Sequence, residues 1–393
     1  MKQKEIEKHY NLYKSGLFDD ILPFWTDHSI DKEFGGYIIG LDRSGKIIET
    51  DKPMWIQGRF AWLLSRIYSD IDRDEKWLSL AKKGIDFLLE NGFDKNGKMF
   101  YRVTREGKPL VKRRYYFTET FTIIALAAFG RASGDKKYIE KAYNLFTFLK
   151  DKLAHPEKES SKFIEETREM KGFSLPMILL ATVQELRLAD KDRREEYNLF
   201  INDQIEEIKL FLDFEKKCVL ETIGSNGEFL NHNEGRLLNP GHAIEASWFL
   251  LRESRERGGD DQIKELGLTI LDWMWKWGWD SKYGGILYFR DALNHPSSEY
   301  WHDMKFWWPQ NEAIIATLMA YEQSGNKKYL KWYKMIQKWT YKHFPDRKQG
   351  EWFGYLHRDG SVSSTVKGNM FKGPFHIPRM QFYCMDILKR MML

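Results

Sequence analysis

The chain has 393 residues, 42% hydrophobic and 30% charged, enough apolar matter for a full core and too much for a disordered chain. Its 62 basic and 57 acidic residues are interspersed, so the net charge of +5 forms no basic stripe and excludes an electrostatic nucleic-acid binder. Two distant cysteines, Cys218 and Cys384, exclude a disulfide framework. The opening MKQKEIEKHYNLYKSG has no apolar signal core, and no apolar run reaches ~18 residues, so a soluble, cytoplasmic protein with no membrane partner is expected.

At this length the chain holds either two domains or one large toroid. Helical periodicity dominates from FAWLLSRIYSDI at 60–71 through 78–92, 118–134, 138–153, 174–188, 197–214 and 263–279. No Pro/Ser/Gly-rich linker interrupts these runs, so residues 1–393 are expected to form a single domain. Aromatic residues make up 15% of the chain, most of them assigned to the core.

An internal repeat shows in the prolines. Pro53, Pro176, Pro240, Pro309 and Pro378 each head an apolar helical run, and 64, 69 and 69 residues separate the last four. From Pro53 to Pro176 is 123 residues, close to two such periods, and the missing start falls at Tyr115–Thr120. Six repeats of roughly 65 residues result, each long enough for two helices and a connection. Glycine/aromatic turns precede most starts: EFGGYII, NGKMFYRV, SNGEFL, YGGILYF and EWFGYLHRDG. The third repeat has the charged stretch HPEKESSKFIEETREMK instead. This pattern predicts an all-α fold, a closed (α/α)6 toroid with short β-hairpins at one mouth and the proline-started helices as its inner ring. An open helical solenoid is the alternative.

Polar residues in the first turns then converge on that mouth. Asn239 is a good N-cap, Pro240 suits the first helical position, and His242 falls in the first turn with Glu245 on its face. Glu245 is expected to orient His242. Arg59 lies about two turns past Pro53, Glu119 opens the second inner helix, and Glu312 follows Pro309. Pro378 is expected to be the first residue of its helix, with His376 just outside and Arg379 one turn from it. At the positive end of a helix dipole an imidazole tends to stay neutral, while the arginine stays charged and can hold an oxyanion.

Each feature has a structural reading as well. First-turn glutamates usually complement the helix dipole, a description that fits Glu119 best. Trp307 or Trp308 can stack on a sugar ring, with at least one of them core. His302 and Lys305 are rim residues at most, and Tyr115, Tyr116 and Asn311 carry less. Neither His-Glu-x-x-His, paired Cys-x-x-Cys nor a phosphate loop occurs, so no metal site is expected. Cys384 reads as a buried structural thiol. His28, His155, His232, His295, His343 and His357 read as surface or hairpin residues.

KGPFHIPR at 372–379 resembles the C-terminal signature of the N-acylglucosamine 2-epimerase (renin-binding-protein) family, and MWIQGRF at 54–60, NPGHAIEASWFLL at 239–251 and WHDMKFWWPQNEA at 301–313 agree in order. The resemblance implies the same toroid and interconversion of N-acetyl-D-glucosamine and N-acetyl-D-mannosamine. It implies functional roles for Arg59, His242, Glu312, His376 and Arg379, with the histidines as the two acid/base groups. It also implies a homodimer and a nucleotide such as ATP as an activator, not a reactant; no sequence feature locates that nucleotide. Inverting a centre beside a carbonyl takes a proton from one face and returns one to the other, so two facing bases are economical, and a redox cofactor is not needed. Cellobiose 2-epimerases and mannose-type isomerases look similar but tend to carry a further histidine in the third inner helix, where this chain reads GFSLPMILLAT. Two other classes are an inverting glycoside hydrolase using two of Glu119, Glu245 and Glu312, and a non-catalytic binding protein.

Overall fold

The computed structural model describes residues 1–112, 116–155 and 167–392; Tyr115 and most of the charged stretch of the third repeat lie outside the described residues. Helices run in chain order as α1 (Gln3–Ser15), α2 (Leu22–His28), α3 (Met54–Asp70), α4 (Glu75–Asn91), α5 (Phe117–Ser133), α6 (Lys136–Ala154), α7 (Ser174–Ala189), α8 (Arg194–Leu210), α9 (Asn233–Arg236), α10 (Pro240–Glu256), α11 (Asp261–Gly278), α12 (Trp307–Ser324), α13 (Lys327–His343) and α14 (His376–Met392). A π turn at Gly16–Ile21 joins α1 to α2, so the first outer helix is split.

Two kinds of helix alternate. Helices α4, α6, α11 and α13 open on Asp74, Asp135, Asp260 and Asn326, whose side chains accept free backbone N–H groups, and each buries one face. By contrast α3, α5, α7, α10, α12 and α14 are buried on nearly all sides, as inner helices must be. Each inner helix touches the next, and α14 returns to α3, which closes the ring. Every inner helix also packs on the outer helix that follows it. For α14 the packing partner is α1. The fold is an (α/α)6 barrel.

The prolines mark the starts without a fixed phase. Pro53 stands just outside α3 and Pro240 is the first residue of α10, but Pro176, Pro309 and Pro378 are third in their helices. Pro378 is therefore not the first residue of α14; His376 is. The first N–H groups of a helix have no intrahelical partner, so proline is tolerated throughout the first turn.

Hairpins follow the outer helices, marked by antiparallel pairs Ile30–Tyr37, Phe93–Met99, Leu212–Val219, Trp279–Ile286 and Pro345–Trp352. Inner helices clamp them. Gln57 accepts the Tyr37 N–H at 2.7 Å and donates to the Tyr37 carbonyl at 2.8 Å. Gln310 repeats this on Ile286 at 2.7 and 2.9 Å.

A buried lysine–aspartate pair also recurs: Lys52–Asp31 at 2.9 Å, Lys305–Asp280 at 3.0 Å and Lys367–Asp346 at 3.2 Å. An arginine from the next repeat joins each aspartate: Arg105, Arg358 and, from the first repeat, Arg43. Arg43 thus closes the circle across the chain ends. Lys305 is wholly buried, so it belongs to this clasp and not to the rim.

Both Arg43 and Lys367 hold Asp346 well below the usual carboxylate range. Its depressed pKa contributes stability above the unfolded value, near 3.9, that is lost as pH falls through the folded one. Asp346→Asn leaves Lys367 buried without its counter-charge and should lower unfolding free energy by about 3–5 kcal/mol. Arg43→Ala, at the exposed partner, should cost clearly less, because solvent screens that contact. Urea titration at neutral pH measures both; equal losses would show that the exposed arginine carries the clasp.

Candidate active site

Inner-helix N-termini gather at one end of the barrel. Trp55 of α3 packs on Phe117 at the start of α5, with ring centroids 6.4 Å apart. Trp308 of α12 lies near both histidines, 5.1 Å from His242 of α10 and 5.8 Å from His376 of α14. Gly241 makes the first contact feasible, because a β-carbon there would sit 2.6 Å from the Trp308 ring. The start of α7 joins through Phe173, whose N–H donates to the Glu221 carbonyl at 3.0 Å.

Each histidine is fixed through Nδ1. His242 Nδ1 lies 2.8 Å from Glu221 Oε1, and His376 Nδ1 lies 2.8 Å from Glu312 Oε1. Ionised carboxylates only accept, so Nδ1 carries hydrogen in both rings and Nε2 is left to accept or return a proton. Glu221, not Glu245, orients His242. Glu221 stands just before Thr222–Gly224, 21 residues from His242 in sequence, and no motif spacing marks it. Glu245 instead binds the Arg379 guanidinium, which reaches Glu312 at 2.7 Å as well. Trp248 Nε1 donates to the other Glu312 oxygen at 2.8 Å. Burial pushes the Glu312 carboxyl up, while the three donors that converge on it favour its ionised form.

The two imidazoles are tuned in opposite directions. Burial and then Arg379 hold His376 well below the ordinary histidine range, which agrees with a neutral base. Arg379 Nη2 stands 3.3 Å from His376 Nδ1; two donors cannot bond, so the contact penalises imidazolium. Burial alone would also lower His242, but the Glu221 carboxylate more than offsets it and raises that pKa. The helix-dipole expectation of a neutral ring therefore fits His376 and not His242.

Arg59 is a different kind of cation. Its guanidinium lies over Phe121, Trp55 and Phe375 at 4.1, 4.4 and 4.7 Å. It has no carboxylate partner among the described residues, and burial, with Arg379 nearby, lowers its pKa to about 9. It stays charged at neutral pH. Of the two arginines, Arg59 is thus the one whose charge no adjacent carboxylate neutralises among the described residues.

Glu119 is buried in α5 and accepts the Met99 N–H at 3.4 Å. Met99 corresponds to Tyr37 and Ile286, so Glu119 holds a hairpin as Gln57 and Gln310 do. Trp307 is core, Asn311 bonds the Trp307 carbonyl at 2.8 Å, and Cys384 is wholly buried. Among the described residues, Glu245, Glu312 and His376 offer ligand atoms within 4.8 Å of one another, but Arg379 already bridges both carboxylates, which opposes a metal cation there.

Known proteins share this arrangement of chain and fold. The family model described as N-acylglucosamine 2-epimerase (GlcNAc 2-epimerase) matches residues 35–376. Human N-acylglucosamine 2-epimerase is 33% identical over 380 residues, covering 94% of this chain and 88% of that protein. A cellobiose 2-epimerase of Dictyoglomus turgidum is 25% identical over 402 residues, 99% of this chain and 98% of its own. Among solved structures, the cellobiose 2-epimerase of Spirochaeta thermophila superposes with a TM-score of 0.85 at 21% identity, over 99% of each chain. With a family model spanning most of its length, the chain belongs to the N-acylglucosamine 2-epimerase family.

Proposed function

We propose that this protein is a carbohydrate 2-epimerase that interconverts N-acetyl-D-glucosamine and N-acetyl-D-mannosamine through the ring-opened aldehyde. The observation that carries this is the pair His242 and His376, each fixed through Nδ1 by a carboxylate and oppositely tuned, beside one tryptophan. Neutral His376 Nε2 removes the C2 proton, and His242, leaning to imidazolium, delivers one to the opposite face. Arg59 binds the oxygen that becomes anionic at C1, in a site walled by aromatic rings where such a contact is strong. Both transfers balance with protein side chains alone. Higher identity to the acylglucosamine enzyme than to the cellobiose enzyme supports the amino-sugar substrate, as does an α7 without histidine in its first turns.

A hydrolase is poorly served by the same residues. It needs one protonated carboxyl and a second that activates water. Glu245 and Glu312 are both tied to Arg379, and Glu119 caps a hairpin.

We further propose that the chain works as one catalytic unit, in a homodimer, in a reducing cytoplasm; free, buried Cys218 and Cys384 support the last point. No helix among the described residues is long and apolar enough to cross a membrane. An activating nucleotide, implied by the resemblance, would act as regulator, since the reaction has no phosphate to transfer.

In D2O, His242→Asn and His376→Asn should each lose epimerisation in both directions. Each should still exchange the C2 proton of the epimer facing its surviving histidine, with opposite preferences for the two acetylated sugars. Proton NMR reads this, and equal exchange of both epimers by both variants would replace the pair with one mobile base.

Glu221→Gln should lower the His242 pKa, because burial is then opposed only by the charge of Glu245. The raised pKa keeps His242 protonated further up the pH scale, so the alkaline limb of kcat/KM should move to lower pH. Histidine NMR titration checks it; an unmoved limb would remove His242 as the acid.

Arg59→Lys keeps a charge and loses the planar fork, and kcat should fall about 10²–10³-fold, the scale of a lost oxyanion donor. Near-normal kcat in steady-state assays would return the oxyanion role to Arg379.

A further inference from the structure

A cavity lies on the barrel axis beneath the histidine pair. Phe121 of α5, Ile178, Ala181 and Thr182 of α7, and Trp248 and Phe375 wall it, with Arg379 lining its upper side. Its volume is about 30 Å³, room for about two water-sized bodies. The wall from α7 is apolar, because the Thr182 hydroxyl already donates to the Ile178 carbonyl at 2.7 Å and turns its polar atom to the backbone. Glu185 below is filled by Arg66 and Arg252, each at 2.6 Å, and by Trp62 Nε1 at 2.7 Å. One of the residues lining this space carries an unused donor. Arg379 Nε is buried and has no hydrogen-bond partner among the described residues, although Arg379 Nη2 is tied to Glu245 and Glu312.

An orphan buried donor above a small apolar space calls for a ligand group with a carbonyl oxygen and a short hydrocarbon end. We infer that this cavity seats the N-acyl group of the substrate, with its carbonyl oxygen accepting from Arg379 Nε and its methyl packed on Ile178 and Ala181. The inference rests on the epimerase proposal above and adds the place in the barrel where the acetyl group sits and what limits its length. An acyl substituent on C2 is one bond from the carbon that loses its proton. Arg379 and Phe375 border both the cavity and His376, so the two parts of the substrate meet there. Two heavy atoms beyond the carbonyl carbon fill the space, which suits acetyl and excludes a longer chain.

The test is a chain-length series of N-formyl-, N-acetyl- and N-butanoyl-D-glucosamine, read as kcat/KM and as C2 deuterium exchange by NMR. The wild type should prefer acetyl to butanoyl at least tenfold. Ala181→Leu fills the cavity and should lower kcat/KM for acetyl at least tenfold more than for formyl. Ile178→Ala enlarges it and should raise the butanoyl-to-acetyl ratio at least tenfold; it decides the matter if the leucine variant fails to fold. A wild type indifferent to chain length, or an unchanged butanoyl-to-acetyl ratio in an active Ile178→Ala variant, overturns the inference alone. Absence of C2 exchange from every acylated sugar in the wild type overturns the epimerase proposal beneath it.

Discussion

Arg379 lies buried between Glu245 and Glu312, and this contact ties α14 to α10 and α12 one turn below the histidines. Removing three charged groups from water is costly, and their attraction compensates only in a tightly defined geometry. The trio therefore fixes the relative depth of three inner helices as much as it stabilises them. His376 inherits its position from it: Glu312 accepts from the His376 ring while holding Arg379, and so sets which nitrogen faces the mouth. Trp248, donating to the same carboxylate, locks the remaining freedom.

Depth separates the two histidines. His376 has a side chain 10% exposed and stands against a guanidinium; His242 is 27% exposed and stands against a carboxylate alone. Both lie in the first turn of a helix, so the dipole acts on both in the same direction and cannot make them shift in opposite ones. Their immediate neighbours do, and the opposite shifts support the proposed pairing of one base with one acid. Under the proposed mechanism each turnover reverses the two proton states, and exchange with solvent must restore them. Loss of the substrate proton to water is thus a consequence of the asymmetry.

Periodicity made the barrel legible before any coordinates, because inner helices buried on all sides must start with similar residues at similar intervals. It also exposed His242, His376, Arg59 and Arg379, which sit in first or second turns. Partnerships were less legible. Glu245 shares a helix face with His242, yet the ring turns to Glu221, which approaches from the strand after another outer helix. Same-face proximity along a helix describes neighbours on that helix only, and a barrel mouth is assembled from six. Glu119 reads in sequence as a first-turn carboxylate at the mouth, and in the structure it also accepts a hairpin N–H close to its own helix. Its equivalence to Gln57 and Gln310 was available in the repeat register, hidden by the change from amide to acid.

Two ionic layers cross the barrel, and they differ in what is left unfilled. In the lower one Glu185 takes Arg66, Arg252 and Trp62 Nε1, which suits a girder. In the upper one Arg59 has aromatic faces in place of a carboxylate, and Arg59 Nε and Arg379 Nε have no acceptor among the described residues. Buried donors left open cost stability unless something satisfies them during function. The same guanidinium chemistry thus appears in two forms: completed, it holds the inner ring together, and left incomplete at the mouth, it offers the donors that the proposed function assigns to substrate oxygens.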